Sequence, residues 1–313
     1  MTVVIVVIAV VVLALSRSAP TPIRVLAARY NCVPTSKIPQ LQMNFPGGEI
    51  STTYGGFTAA FHASILATSA GAAFGIGMPF KGTLTMSEGG KSWVLPRPSN
   101  PRESAIDALC VIAFHREKFP SVMIEGFTGG AHCCEVPVIY SYNRAENRYV
   151  KVVDMSPNNY KDPHAFDANQ GFQPLVAGGQ VLLRTGDDRF DYAFDCYACS
   201  ASPIVLDSVE ADGLTDVTLQ HPAQVTTDAA SIWRGAQTTA AQNGSGAFGL
   251  LPAWVADECA LDRGAAAWST ILGLAREGKL SDALFYQETL NHGSYVAKLH
   301  AFLLRNDYCV GQI

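Results

Sequence analysis

From Gly82 to Leu219 the apolar positions come in short runs separated by turn residues. "GTLTMSEGGKSWVL" places two short arms around Glu88-Gly89-Gly90 and predicts a β-hairpin. "PSVMIEGF", "CEVPVIYSYN" and "NRYVKVVDM" follow, and "LVAGGQVLLRT" sets Gly-Gly between two apolar arms. "FDYAFDCYA", "SPIVLDSV" and "LTDVTL" complete the series. The runs are rich in β-branched and aromatic residues, and no helical periodicity of useful length separates them. The pattern predicts a mainly β, antiparallel fold over residues 81–222, built as a sandwich, a barrel or a propeller-like array.

After His221-Pro222 the period changes. "TTDAASIWRGAQTTAAQ" follows a Thr/Asp start and favours helix, and "NGSGAFG" breaks it. "PAWVADECALDRGAAAWSTILGLAREGKL" and "GSYVAKLHAFLLRNDY" carry apolar residues three and four apart. A small α-helical C-terminal domain is therefore expected over residues 226–313. Upstream, residues 17–80 have no assigned structure: they begin Pro-rich, and "AAFHASILATSAGAAFGIG" fits a small-residue helix or buried strands equally.

The N-terminus changes the picture. Val3 to Leu15 is an unbroken apolar stretch, too short to span a bilayer and of the length of a signal-peptide core. Small residues at Ala14 and Ser16 define a signal peptide over residues 1–16; the alternative is retention as an N-terminal anchor, because no Lys or Arg precedes the core. Once the signal is removed, no stable membrane span is expected. The reading is an exported protein, periplasmic or extracellular. Hydrophobic residues make up 48% and charged residues 16%, which excludes a disordered chain. A net charge of −5 without a Lys/Arg cluster excludes a nucleic-acid partner.

Export sets how the eight cysteines are read: in an oxidising compartment the default is disulfides. Cys259 and Cys309 fall in the first and last amphipathic helical segments and are expected to pair, tying down the chain end. Cys196, Cys199, Cys32 and Cys110 are further disulfide candidates, with connectivity left open.

"FPSVMIEGFTGGAHCC", "DDRFDYAFDCYACSASPIVLDSVEADGLTDVT" and "LLPAWVADECALDRGAAAWSTIL" resemble a group of uncharacterised secreted bacterial proteins related to FG-GAP/VCBS-type β-propeller repeats. The Gly-Gly-Ala-His-Cys-Cys motif carries most of the likeness, and the first 80 residues are not covered. The resemblance implies a propeller-like β fold with a helical tail. It also implies an acidic calcium loop before the Gly-Gly motif. Here that stretch is Ala113-Phe114-His115-Arg116-Glu117-Lys118, which does not supply the several oxygen ligands that calcium takes.

Candidate chemistry centres on Gly129, Gly130, His132, Cys133 and Cys134. The glycines permit a tight turn into an inner strand from about Cys134 to Tyr142, with His132 at the rim. Adjacent strand residues face opposite ways, so Cys133 and Cys134 do not easily share one metal. Three readings stand: structural disulfides, vicinal or to distant partners; a ligand-binding surface around His132; and a zinc or thiol-catalytic site. Cys196-Tyr197-Ala198-Cys199 is a C-x-x-C flanked by strand and turn patterns rather than a βαβ unit. Asp187, Asp188, Asp191 and Asp195 read as a solvated turn compensated by Arg189, or as a weak calcium cluster. His62, His115, His164, His221, His292 and His300 are scattered without metal-ligand spacing. No Walker loop, dinucleotide fingerprint, H-E-x-x-H or G-x-S-x-G is present.

The expectation is an extracytoplasmic, disulfide-stabilised, non-enzymatic binding or structural protein of the cell envelope. It has no catalytic residue, metal or cofactor, and its partner is an unspecified envelope component or protein. The alternative is an envelope thiol oxidoreductase or hydrolase that uses His132 with Cys133/Cys134, or the Cys196/Cys199 pair.

Overall fold

The computed structural model describes residues 29–34, 48–65, 80–97, 105–114, 119–127, 135–154, 173–243, 247–280 and 294–313. The described chain enters through β1 (Tyr30–Pro34) and runs a four-stranded meander, β2 (Gly48–Tyr54), β3 (Phe57–Ile65), β4 (Phe80–Glu88) and β5 (Lys91–Arg97). A second meander follows: β6 (Ala105–Ile112), β7 (Ser121–Phe127), β8 (Glu135–Asn143) and β9 (Arg148–Asp154). β1 joins its edge beside β6, giving the order β1-β6-β7-β8-β9. The third sheet is β10 (Gln173–Ala177), β11 (Gln180–Gly186), β12 (Ile204–Glu210) and β13 (Gly213–Asp216). Four helices complete the described chain: α1 (Pro222–Asn243), α2 (Leu251–Ala260), α3 (Gly264–Arg276) and α4 (Tyr295–Arg305). Every strand pairing is antiparallel.

Local chemistry accounts for the meanders. Gly55-Gly56, Gly89-Gly90 and Gly178-Gly179 each form a two-residue turn with both residues at positive φ. That turn matches the right-handed twist of paired strands, and glycine adopts it without a steric penalty. β1 to β3 therefore place residues upstream of 81 in the same sheet system.

The sheets stack face to face through two apolar interfaces. Ile50, Phe57, Phe61, Leu84 and Met86 meet Leu109, Val111, Val122, Ile124, Val138 and Tyr140 of the middle sheet. The opposite face of that sheet offers Cys110, Ile112, Met123 and Ile139 to Val181, Leu183 and Val209 of the third. Side chains alternate across a strand, so a sheet covered on both faces is apolar at most positions. This explains the apolar runs of β6, β7 and β8, in which Ser121 and Glu125 of β7 are buried polar exceptions. Each such side chain contributes about 1.5–3 kcal/mol on burial. Close approach inside the first sheet depends on Gly82, because a Cβ there would lie 1.9 Å from the Phe61 ring. At the rim, Trp93, Phe119, Tyr142 and Tyr149 meet edge to face, with centroids 4.6–5.9 Å apart. The Tyr149 hydroxyl donates to the Pro120 carbonyl at 2.8 Å.

The outer face of the third sheet, with Leu182, Ile204 and Leu206, packs on Val217 and on Val225 of α1. A separate helical core gathers Trp254, Val255, Ile271, Tyr295, Leu299 and Leu303 around Phe190 and Phe194. The antiparallel β architecture with a helical C-terminal region is as expected; among the described residues the sheets are open, and neither a closed barrel nor a propeller ring forms. Two differences from the sequence reading follow. "FDYAFDCYA" is not a strand: it forms bends and a short 3₁₀ turn (Tyr197–Cys199), because Phe190 and Phe194 turn toward the helices instead of alternating across a sheet. The first helix starts at Pro222, where proline's missing N–H costs nothing.

Candidate functional site

Gly129, Gly130, His132, Cys133 and Cys134 lie outside the described residues. The strand after them, β8, begins at Glu135 and lies between β7 and β9, an inner position. Among the described residues three cysteine pairs are bonded: Cys32–Cys110, Cys196–Cys199 and Cys259–Cys309. Cys32 and Cys110 sit directly opposite each other on β1 and β6, with Cα atoms 4.1 Å apart. Cys259 on α2 holds Cys309, just beyond α4, and both are buried. Cys196 is exposed.

The acidic cluster divides. The reading of Asp187 as part of a solvated turn is corrected: its side chain is fully buried. Its carboxylate caps the 3₁₀ turn Asp188–Phe190, accepting from the Arg189 backbone N–H at 3.0 Å. The same carboxylate accepts from the Arg189 guanidinium, with Nε at 2.8 Å, and from the Tyr308 hydroxyl at 2.8 Å. These bonds hold Arg189 above its ordinary pKa. Burial, and then the Asp187 charge, push the Tyr308 hydroxyl upward. The network joins the end of the third sheet's β11 to the chain terminus. Asp195 is the member of the cluster that stands near a possible ligand set: a carboxylate oxygen and the sulfurs of Cys196 and Cys199 lie within 4.8 Å of one another. Those sulfurs are bonded to each other, so the set offers no thiolates to a metal.

A groove of about 710 Å³ opens between the third sheet and the helical tail. Pro203–Val205 and Asp216–Leu219 form one wall, the end of α2 another, and residues 306–312 the third. Both α2 and α4 end here in the same way. Asp262 and Asp307 follow the helix ends at φ +57° and +64°. Arg263 N–H returns to the Glu258 carbonyl at 2.8 Å, and Tyr308 N–H to Leu303 at 2.8 Å. These are Schellman ends, in which a left-handed residue closes the last turn. Two helix C-termini, each a partial negative charge, thus face the groove together with the carboxylates of Asp216, Asp262 and Asp307. Arg189 also lines it, with its charge taken up by Asp187. At the mouth stand Leu219 and Val310, 74% and 67% exposed.

Beneath the groove Asp257 is buried in α2, and its Oδ1 accepts from the Ile204 backbone N–H at 3.2 Å. Burial first, and then the neighbouring Asp228, keep its carboxyl well above the ordinary carboxylate range. Asp228 in turn is paired with Arg184 at 2.7 Å. Sequence reasoning missed Asp257, Tyr308, Leu219 and Val310. One signal was available: Asp257 interrupts the apolar side of the helical run "PAWVADECA", whereas its neighbour Glu258 has Arg263 within reach five positions on.

No family model matches the chain. The chain is 29% identical over 202 residues to a Synechocystis sp. protein described as a "Probable thylakoid lumen protein". The match covers 61% of this chain and 57% of the relative, so this chain spans little more than half the relative's length. Among solved structures, a Xanthomonas protein related to a type IV secretion system aligns over 60% of this chain and 99% of its own at 13% identity. Its TM-score of 0.25 carries no inference.

Proposed function

We propose that the chain acts outside the cytoplasm, in the periplasm or beyond it, as a disulfide-braced binding module of the cell envelope whose ligand seat is the groove between the third sheet and the helical tail. The observation that carries this reading is that Leu219 and Val310, the most exposed large hydrophobic side chains among the described residues, both line one groove. Isolated exposed apolar residues need no explanation, but two at the mouth of one concavity favour a ligand. The acidic walls and the two helix ends favour positive charge. The ligand is therefore an amphipathic, cationic segment of an envelope protein. The bonded cysteines and the lumen location given for the Synechocystis relative support the compartment. The consecutive four-stranded meanders fit the likeness to propeller-repeat proteins, whose blades have four strands.

The test uses the peptide amide Leu-Lys-Leu-Lys titrated into the isotope-labelled full chain. Shifts are expected at Leu219, Asp262, Asp307 and Val310. Leu219→Ser with Val310→Ser should weaken binding about tenfold, which corresponds to about 1.4 kcal/mol. The melting temperature should not change, since both side chains are exposed. Equal binding of Leu-Glu-Leu-Glu removes the charge assignment, and shifts confined to other surfaces remove the groove.

A further inference from the structure

The Cys196–Cys199 disulfide differs from the other two in what it can do for stability. Cys32–Cys110 and Cys259–Cys309 bridge sequence separations of 78 and 50, whereas Cys196–Cys199 bridges 3. A bond that closes so short a loop removes little entropy from the unfolded chain. The turn also does not depend on it. Cys199 N–H donates to the Cys196 carbonyl at 2.9 Å, Ser200 N–H to Tyr197 at 3.1 Å, and the Ser200 hydroxyl to the Cys196 carbonyl at 3.0 Å. The turn rests on Gly249, where a Cβ would lie 2.4 Å from the Cys199 carbonyl oxygen, and Ala201 N–H donates to the Gly249 carbonyl at 3.0 Å. Opening the disulfide therefore leaves its frame in place.

The surroundings suit chemistry at sulfur. Cys196 is exposed, Cys199 is half-buried and Tyr197 between them is buried, so an incoming thiol meets Cys196 first. The Asp195 carboxylate reaches within 4.8 Å of both sulfurs. Beside the turn Tyr192, 47% exposed, holds φ +56°, rare for a bulky side chain, and its ring is 5.5 Å from that of Tyr197. An exposed ring of this kind offers a stacking surface to an aromatic side chain of a peptide.

We propose that Cys196–Cys199 is a thiol–disulfide exchange site, with Cys196 the attacked sulfur, Asp195 the proton donor to Cys199, and a protein dithiol the partner. In the forward direction a partner thiolate attacks Sγ of Cys196. The Cys196–Cys199 bond breaks, its electron pair goes to Sγ of Cys199, and that sulfur takes the proton from Asp195. The partner's second thiolate then attacks its own sulfur in the mixed disulfide and releases Cys196 as a thiolate, which solvent protonates. Cys196–Cys199 is reduced to a dithiol and the partner dithiol is oxidised to a disulfide. The reverse sequence balances in the same way. Burial raises the Asp195 pKa, against backbone N–H bonds from Cys196 and Gly249, so the proton is held to higher pH than on an exposed aspartate. From α4, Tyr295 feels the Asp195 charge, and Lys298 lies over the Phe194 ring at 4.9 Å.

The test exposes the oxidised full chain to dithiothreitol between about pH 4 and pH 8, spanning the titration of a carboxyl raised by burial. Thiols are trapped and mapped by mass. Cys196 and Cys199 are expected to open at least about tenfold faster than Cys110, Cys259 and Cys309, since exchange follows access to sulfur. The rate per dithiothreitol thiolate should fall as pH rises through the Asp195 titration, and Asp195→Asn should abolish that fall. Oxidised glutathione should restore the original bond. A cysteine peptide with aromatic flanks should react faster than free cysteine, an advantage that Tyr192→Ser removes. Opening no faster than at the buried pairs, or a flat rate per thiolate in the wild type, overturns the proposal even if Asp195→Asn does not fold. An unchanged fall in Asp195→Asn removes Asp195 from the step, and no advantage for the peptide removes the protein partner.

Discussion

The middle sheet and the joint between the third sheet and the helical tail are both buried, but they are held by different physics. The middle sheet is held mainly by apolar contact on both faces, with Ile112, Val122, Met123, Ile124 and Ile139 fully buried, and Ser121 and Glu125 are the polar side chains buried among them. Its stability scales with area and tolerates small changes of shape. The joint instead buries the carboxylate of Asp187 and the carboxyl group of Asp257 and is closed by the Cys259–Cys309 bond. It brings together distant segments, as when Tyr308 reaches Asp187. Charge networks of this kind are costly unless every group is paired, and they fix one arrangement where apolar contacts permit several. The groove, the Schellman ends and the C-x-x-C turn all adjoin the joint and not the β stack. A surface shaped for a ligand needs side chains in set positions, and the joint supplies that constraint.

The contrast can be broken most strongly at the chain end. Replacing Cys259 and Cys309 together by Ser opens a loop of about 50 residues, and loop entropy sets the loss at up to about 4 kcal/mol. Thermal melting should drop, while near-ultraviolet signals from the Trp93 cluster of the β stack stay in place until the melt. Loss of both together would mean that the regions fold as one unit.

Asp187→Ala comes next. It leaves Arg189 and the largely buried Tyr308 hydroxyl without their acceptor, at a cost of about 3 kcal/mol, because an orphaned buried partner loses more than the bond itself. Urea unfolding measures it. A loss below about 1 kcal/mol, the net worth of one ordinary hydrogen bond, would show that the network contributes no more than that. For the other region, Ile124→Val in the middle sheet should cost only about 1 kcal/mol.

The finest test is pH. The folded-state pKa of Asp257 is raised, so folded protein holds this proton after unfolded chain has released it. The group's contribution is full below the unfolded value near 3.8, falls as pH rises from there to the folded value, and is level above it. Asp257→Asn keeps a donor facing Asp228 without the titration. Its stability at pH 7 should equal or exceed that of the wild type, and the gap should close toward pH 3. A variant less stable at pH 7 than at pH 3, relative to wild type, would reverse the sign and place a carboxylate there.

The elements that local rules control were legible. The Gly-Gly turns at 89–90 and 178–179, the inner strand after the Gly-Gly-Ala-His-Cys-Cys motif and the helical periodicity after His221 each follow from a few neighbouring residues. "FDYAFDCYA" was not, because its alternation matched a strand while its aromatic rings serve a helical core formed about 100 residues later. The role of Asp187 was hidden for the same reason: its second partner, Tyr308, is 121 positions away. The groove was illegible altogether. Leu219 and Val310 look like ordinary apolar residues until three segments of chain converge around them.

By itself, the sequence determined the order of strands then helices, the tight turns, and a cysteine set suited to an oxidising compartment. Each of these is a property of short-range backbone preference, hydrophobic period or composition. Only the tertiary structure decided that three meanders stack with the middle one covered on both faces, that Asp187 and Asp257 go inside, and that two helices end at one acidic groove. Those features depend on which surfaces meet. Burial energy is nearly blind to identity among apolar side chains, whereas the position of a charge is set by the one partner that the completed fold brings within hydrogen-bond reach.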